Sequence, residues 1–287
     1  MGFAVSIDGR VGSPEEVTLK VTDNGFVFGD SAYETLRTYG GRPFELDRHL
    51  LRLRRSIGLL GFDLETSDDL IRARIDECLS FASNDESYLR VIVTRGVGDM
   101  SYRFERIAGP TMAIYVKPLE PVSETLYDKG ANLVLVSIRR NPIEALNPAM
   151  KASNLINNAL AAREAYAKGG FEALLLNTRG EVAECAGSNV FIVKDGRLLT
   201  PPLSCGILAG ITREITLEIA ATTGVPSEER VLYPEDLRGS DEMFITSSLK
   251  EIGPMVTLDG TPVGTGTPGP VTGALLGAYR ARIQRAW

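Results

Sequence analysis

The chain has 287 residues, of which 31 are Lys or Arg, 37 are Asp or Glu, one is His and three are Cys, and its net charge at pH 7 is −6. This length supplies one large domain or two modest ones, and an acidic balance without a basic block excludes a nucleic-acid scaffold, which needs a concentrated positive field. No apolar run approaches the roughly 20 residues that span a bilayer, and the start MGFAVSIDGR lacks the cationic and apolar regions of a secretory signal, so a soluble, cytoplasmic protein with no membrane or nucleic-acid partner is expected.

Cys78, Cys185 and Cys205 show no C-x-x-C spacing, so neither a disulfide framework nor a thiolate metal site is indicated. With His49 as the sole histidine, a Ser-His-Asp hydrolase or a His-ligated metal centre would depend on that one residue, which reads as packed or solvated on a helix. No metal is expected. A proton carrier would have to be a lysine, a tyrosine, a carboxylate or a cofactor.

The first third alternates strand signals with glycine turns. FAVSIDGRV and VTLKV read as strands, and AYETLRTYGGRPFEL reads as a hairpin about Gly40 and Gly41. From Asp47, a plausible N-cap, the period becomes helical: Leu46, Leu50, Leu53, Ile57 and Leu60 form one stripe that Gly61 ends. A second helix is predicted over Ser67–Phe81, followed by strands in YLRVIVTR and TMAIYVK around a glycine-bearing loop. KPLEPVSE, at 117–124, marks a domain boundary: residues 1–118 form a small α+β domain, 119–123 a linker, and 124–287 a larger α/β domain. That second domain is read as a strand (ANLVLVSI), a helix over about 149–168, and paired strands (FEALLLNT, SNVFIVKDGRLLT). A helix after Gly210, a strand (EMFITSS), a loop (TLDGTPVGTGTPGP) and a last helix over 270–286 complete an α/β class with no repeat.

Within the predicted helix, Lys151 shares a face with Leu155, Ala162 and Tyr166. Such a lysine either snorkels outward or is desolvated, and desolvation makes a neutral, nucleophilic amine available. Glu184, in GEVAECAGSNVFIV, has few partners within its own segment and reads either as an exposed turn residue or as a carboxylate awaiting a cation. Two stretches suit an anion. GILAGITREI places the Ile211 and Thr212 amides at a helix start, and FITSSLKEI ends a strand in hydroxyls, with Ser247 and Ser248 at its tip. Arg52 belongs either to a solvated face with Arg48, Arg54 and Arg55 or to the same anion site.

Six segments in one order resemble the class IV aminotransferases, the fold-type IV enzymes that use pyridoxal 5'-phosphate. They are Phe26 to Arg37, RHLLRL (48–53), KASNL (151–155), Glu181 to Phe191, GILAGITR (206–213) and FITSSLKEI (244–252). The resemblance implies that Lys151, on the larger domain, bonds the cofactor aldehyde and shuttles the proton, while Glu184 keeps the pyridine nitrogen protonated. It further implies that Arg52, Ile211, Thr212, Ser247 and Ser248 hold the phosphate, and that Tyr33 lies by the cofactor or substrate. Tyr88 and Arg90 resemble the Tyr-x-Arg pair with which branched-chain enzymes hold the substrate carboxylate. Thr35, Thr94–Gly96 and KASNL instead resemble the D-amino-acid and aminodeoxychorismate-lyase branches, although Met100 and Tyr102 stand where the former carry an Arg-x-His pair. Ile156 stands where branched-chain enzymes carry an aromatic residue. The implied protein is a homodimer with the cofactor in the cleft between domains. It moves the amino group of an amino acid, preferentially a branched-chain L-amino acid, to 2-oxoglutarate or another 2-oxo acid by a ping-pong mechanism. The alternatives are a D-amino-acid transaminase, a lyase of the aminodeoxychorismate type and a cofactor-binding protein without turnover.

Overall fold

The structure, a computed structural model, describes residues 2–285, so the end of the predicted last helix at 286 lies outside the described residues. Contacts divide the chain into two units, the first comprising 1–121 with 150–154 and the second 122–149 with 155–287.

The first unit comprises β1 (Ala4–Ile7), β2 (Arg10–Gly12), the short α1 (Asn24–Val27), β3 (Ser31–Tyr39), β4 (Arg42–Pro43), α2 (Leu46–Leu59), α3 (Asp68–Ala82), β5 (Ser87–Thr94) and β6 (Thr111–Pro118). Its strands form one sheet in the order β2-β1-β6-β5-β3-β4. The predicted stripe is the inner face of α2: Leu50, Leu53 and Ile57 are buried in a core with Leu36, Leu89 and Val91, each worth about 1.5–3 kcal/mol of burial. This helix begins slightly earlier than predicted, with Glu45 at the N-cap position and Asp47 already inside it, paired with Arg72. Val17–Val21 is a turn and open chain rather than a strand. The Glu16 and Val17 amides both donate to the Ser13 carbonyl, closing a turn after which Leu19 and Val21 face outward.

The second unit is built from α4 (Glu124–Lys129), β7 (Ala131–Leu135), α5 (Ile156–Ala167), β8 (Glu172–Leu176), β9 (Val182–Cys185), β10 (Asn189–Lys194), β11 (Arg197–Thr200) and α6 (Ile211–Thr223). It continues with β12 (Ser227–Glu229), α7 (Pro234–Arg238), β13 (Glu242–Ser247), β14 (Glu251–Leu258), β15 (Thr261–Pro262) and α8 (Pro270–Arg285). A mixed sheet runs β12-β11-β10-β13-β14-β7-β8-β9, with β15 paired to β14. The sequence reading has no strand at Glu251–Leu258, because Gly253 and Pro254 are strand breakers. Pro254 is accommodated opposite Phe244 of β13, and the parallel partner β7 joins only from Met255 onward. Thr257 and Leu258, read as the start of a loop, therefore belong to a strand.

The helix predicted over 149–168 starts only at Ile156, and Lys151 lies outside it. Residues 150–154 run beside β3 instead. The Tyr33 amide donates to the Lys151 carbonyl at 2.9 Å, the Ser153 amide to Ser31 at 2.9 Å, and Ala32 bridges Ala152. These β-type bonds compete with the helical ones, and Leu155 supplies no side-chain cap that would extend the helix backward. The lysine thus belongs by contact to the first unit, whereas chain order assigned it to the larger second domain. Among the described residues no helix is long and apolar enough to cross a membrane.

Candidate active site

In the first unit, strand alternation sorts the candidate residues onto two faces. Tyr33 and its diagonal neighbour Arg90 share one face of the β3–β5 pair, with Thr35 opposite Arg90. The Arg90 guanidinium stacks on the Tyr33 ring at 4.0 Å, and the Lys151 amine lies 4.5 Å from the same ring centre. Both contacts place a cation on an aromatic surface. The Arg90 Nε is buried without a hydrogen-bond partner. Glu86 is not its counterion, since that carboxylate accepts from the Thr38 hydroxyl and the Gly40 amide. Tyr88 lies two residues from Arg90 along β5, half-buried, with Lys117 against its ring.

The opposite face carries an unforeseen trio. Glu34, from β3, meets Arg52 and His49 of α2: Arg52 donates through Nε to Oε1 at 2.8 Å and through Nη2 to Oε2 at 2.7 Å, and His49 Nδ1 lies 2.7 Å from Oε2. All three residues are buried, so Arg52 is not part of a solvated face. Burial alone would raise the Glu34 pKa, but the Arg52 charge and the bonds from Arg52 and His49 outweigh it and hold the carboxyl at about 2. Burial pushes His49 the other way, below its ordinary 6.5, with the Glu34 bond opposing. The helical pattern had shown Arg52 and His49 only as neighbours of a stripe. Their partner lies on another element, 18 and 15 residues away. One turn along α2, the Ser56 hydroxyl accepts from the Lys151 amide at 3.1 Å, which ties the lysine's backbone to the same helix.

In the second unit, Glu184 is buried on β9 and is not short of partners. Arg140 Nε donates to its Oε1 at 2.9 Å, and the Leu208 amide to its Oε2 at 3.0 Å, with Asn189 Nδ2 at 3.4 Å. The sequence concealed Arg140 because it lies 44 residues away, where Asn157 and Asn158 also receive its Nη1. A carboxylate has about four acceptor sites, so capacity remains for one further donor. Asn189, part of the quoted SNVF segment but without an assigned role, joins the pieces. It faces Thr246 across the β10–β13 pair and donates to the Leu208 carbonyl at 3.0 Å. Its Oδ1 also lies 2.0 Å from where a Cβ on Gly210 would stand. A side chain at 210 would have to displace the Asn189 amide, so glycine lets α6 start this close to Asn189.

α6 has no side-chain cap, and the Ile211 and Thr212 amides have no hydrogen-bond partner among the described residues. Free amides at the N-terminus of a 13-residue helix attract an anion. Thr246, next to Ser247, buries a hydroxyl with no partner. The Ser247 hydroxyl accepts from the Lys250 amide at 3.1 Å, which leaves its own hydrogen to donate. Ser248 follows in the turn between β13 and β14, half-buried. Within the second unit, a carboxylate with spare acceptor capacity and a set of unpartnered amide and hydroxyl donors fit a phosphorylated pyridine; within the first, an amine without a counterion among the described residues suits an aldehyde.

The amino-transferase class IV family profile matches residues 31–258. A Methanocaldococcus jannaschii protein, assigned provisionally as a branched-chain-amino-acid aminotransferase, is 35% identical over 99% of this chain and 97% of its own length. The D-alanine aminotransferase of Bacillus licheniformis is 31% identical over 93% of each chain. Among solved structures, the Escherichia coli branched-chain amino acid aminotransferase superposes with a TM-score of 0.91 at 28% identity, covering 98% of this chain and 94% of its own. The branched-chain amino acid aminotransferase of Thermobaculum terrenum, solved in its PLP-bound holo form, gives 0.86 at 29%, covering 98% and 93%. Sequence profile, relatives and fold agree, and this chain belongs to the amino-transferase class IV family.

Proposed function

We propose that this chain transfers the amino group of an amino acid, preferentially a branched-chain L-amino acid, to a 2-oxo acid. Bound pyridoxal 5'-phosphate supplies the aldehyde that takes up the nitrogen and the ring that accepts electrons from Cα. Lys151 would hold that aldehyde carbon through its amine, with water released, and would carry the proton between the substrate Cα and the cofactor C4′. Glu184 keeps a proton on the pyridine nitrogen, and Arg140 holds the carboxylate in place for that task. The Ile211 and Thr212 amides, Ser247 and Ser248 bind the phosphate, with Arg52 as the cation. Tyr33 lines the site beside the reacting amine.

One observation carries the substrate class. Arg90, with a buried unpartnered Nε, stacks on the same Tyr33 ring that the Lys151 amine touches. A guanidinium held there without a counterion suits a carboxylate on the molecule whose nitrogen the lysine serves. Tyr88, on the same strand face, completes the pair. The M. jannaschii relative and the superposed structures support the branched-chain preference, and the B. licheniformis relative names the competing one. Mixing the yellow holoenzyme with one amino donor at a time tests the reading. L-leucine should bleach it and a 2-oxo acid should restore the colour. Bleaching by D-alanine in preference overturns the branched-chain assignment, and pyruvate release from aminodeoxychorismate without bleaching overturns transamination.

The same reading includes a homodimer in the cytoplasm. Phe26, Tyr102 and Phe104 of the first unit expose their rings, as a surface covered by a second copy does. Cys78, Cys185 and Cys205 are free and buried, consistent with a reducing compartment. Light scattering on the purified protein should give twice the monomer mass, and a monomer overturns this part.

A further inference from the structure

Lys250 is the centre of a cluster that the catalytic roles above do not use. Its amine donates to Glu172 Oε2 at 2.6 Å and lies 3.5 Å from the Ser188 hydroxyl, which itself donates to Glu172 Oε2 at 3.2 Å. Glu172 and Ser188 are buried, and Lys250 is about a quarter exposed. The backbone of Lys250 is held as well: its amide donates to the Ser247 hydroxyl at 3.1 Å, and its carbonyl accepts from the Tyr127 hydroxyl at 3.3 Å. Three pieces of chain are thereby joined: the β13–β14 turn that carries Ser247 and Ser248, the first residue of β8, and the β9–β10 turn lying between Glu184 and Asn189.

We propose that Lys250 and Glu172 are positioning residues that lock the β13–β14 turn in its anion-binding form, so that Ser247 and Ser248 are preorganised for the cofactor phosphate. This rests on the reading that those serines bind the phosphate. Three observations carry it. The ion pair is desolvated on its carboxylate side, so it holds one geometry rather than flickering in water. The lysine that forms it is the residue whose amide fixes the Ser247 hydroxyl, so tension in one bond is transmitted to the other. The turn has no buried apolar side chain of its own to anchor it, since Ser248, Leu249 and Lys250 are all half-buried. Without the pair, the three-residue turn would have to be ordered at the moment of binding, at an entropic cost that the native structure has already met.

The test compares the resolved enzyme's affinity for pyridoxal 5'-phosphate with that for pyridoxal, which has the same aldehyde and ring but no phosphate. Lys250→Met and Glu172→Gln should each weaken the phosphorylated form by about tenfold or more while leaving pyridoxal unchanged, and Lys250→Arg should restore most of the difference. An equal loss for both ligands, or no loss for either, overturns the proposal, because a general disturbance moves both and an idle surface pair moves neither. Ser248→Ala run in parallel separates the two layers. If it leaves the ratio unchanged, the phosphate assignment has failed and the lock falls with it. If it lowers the ratio while Lys250→Met does not, only the lock is overturned.

Discussion

Glu34 grips Arg52 with both carboxylate oxygens, at 2.8 and 2.7 Å, inside the first unit. The fork-to-fork geometry fixes the guanidinium plane, and His49 fills part of the remaining acceptor capacity of Oε2. Glu34→Gln leaves the buried Arg52 with a neutral partner, and the expected loss is about 3–5 kcal/mol of unfolding free energy, measured by urea titration. A change under about 1 kcal/mol would remove Glu34 from the framework of the unit.

The same trio sets an acid dependence. The Glu34 pKa is lowered from its ordinary 4.5 to about 2, so its stabilisation is complete above 4.5 and is lost as pH falls toward 2. That of His49 is lowered from 6.5 by burial, so stability also declines as pH falls below 6.5, where the unfolded chain takes up a proton that the folded chain refuses. Melting temperature should therefore fall steadily from about pH 7 to about pH 4, and the slope below 4.5 should flatten in Glu34→Gln. An unchanged slope contradicts the coupling.

Borohydride treatment of the yellow protein should fix the cofactor on Lys151, and peptide mapping should find it there rather than on Lys168 or Lys250. Both alternatives already pair with carboxylates, Lys168 with Glu164 and Lys250 with Glu172. Lys151→Ala should retain phosphate-bound cofactor and lose at least about a thousandfold in kcat.

Glu184→Gln should keep the cofactor bound and lower kcat by about a hundredfold or more, since an amide does not hold a proton on the ring nitrogen. Arg140 then faces a neutral group, so melting temperature should fall as well. Turnover equal to wild type would return Glu184 to a structural role.

For Arg90→Ala, kcat/KM should fall about 30- to 1000-fold for every amino acid by a similar factor, while amines without a carboxylate are spared. Because Arg90 has no ion pair among the described residues, melting temperature should hold. A lowered melting temperature with no carboxylate-specific loss would show that the stack on Tyr33 is structural.

Periodicity revealed those parts of the molecule whose neighbours in space are neighbours in sequence. The α2 stripe and the β3–β4 hairpin are of that kind. Lys151 shows where it stops: residues that could continue a helix pair with β3 instead, a strand far earlier in the chain whose open edge no local pattern reports. The partner of Glu184 was hidden for the same reason, since its cation lies 44 residues away, and β14 was hidden by a proline whose cost the sheet avoids through register. The family segments supplied the candidate catalytic residues without their supports, so Glu34, Arg140 and Asn189 became visible only as contacts.

The lysine strip at 150–154 is a loan from one unit's sequence to the other's structure. Cutting the chain after Pro121 would not release an intact first half. It would strip β3 of the carbonyl of Lys151 and the amide of Ser153, and α2 of the donor to Ser56. A swap of halves between relatives at that point would therefore pair each β3 with a foreign lysine strip, so recombinants that carry 150–154 along with 1–121 should fold and load cofactor where simple end-to-end chimaeras do not.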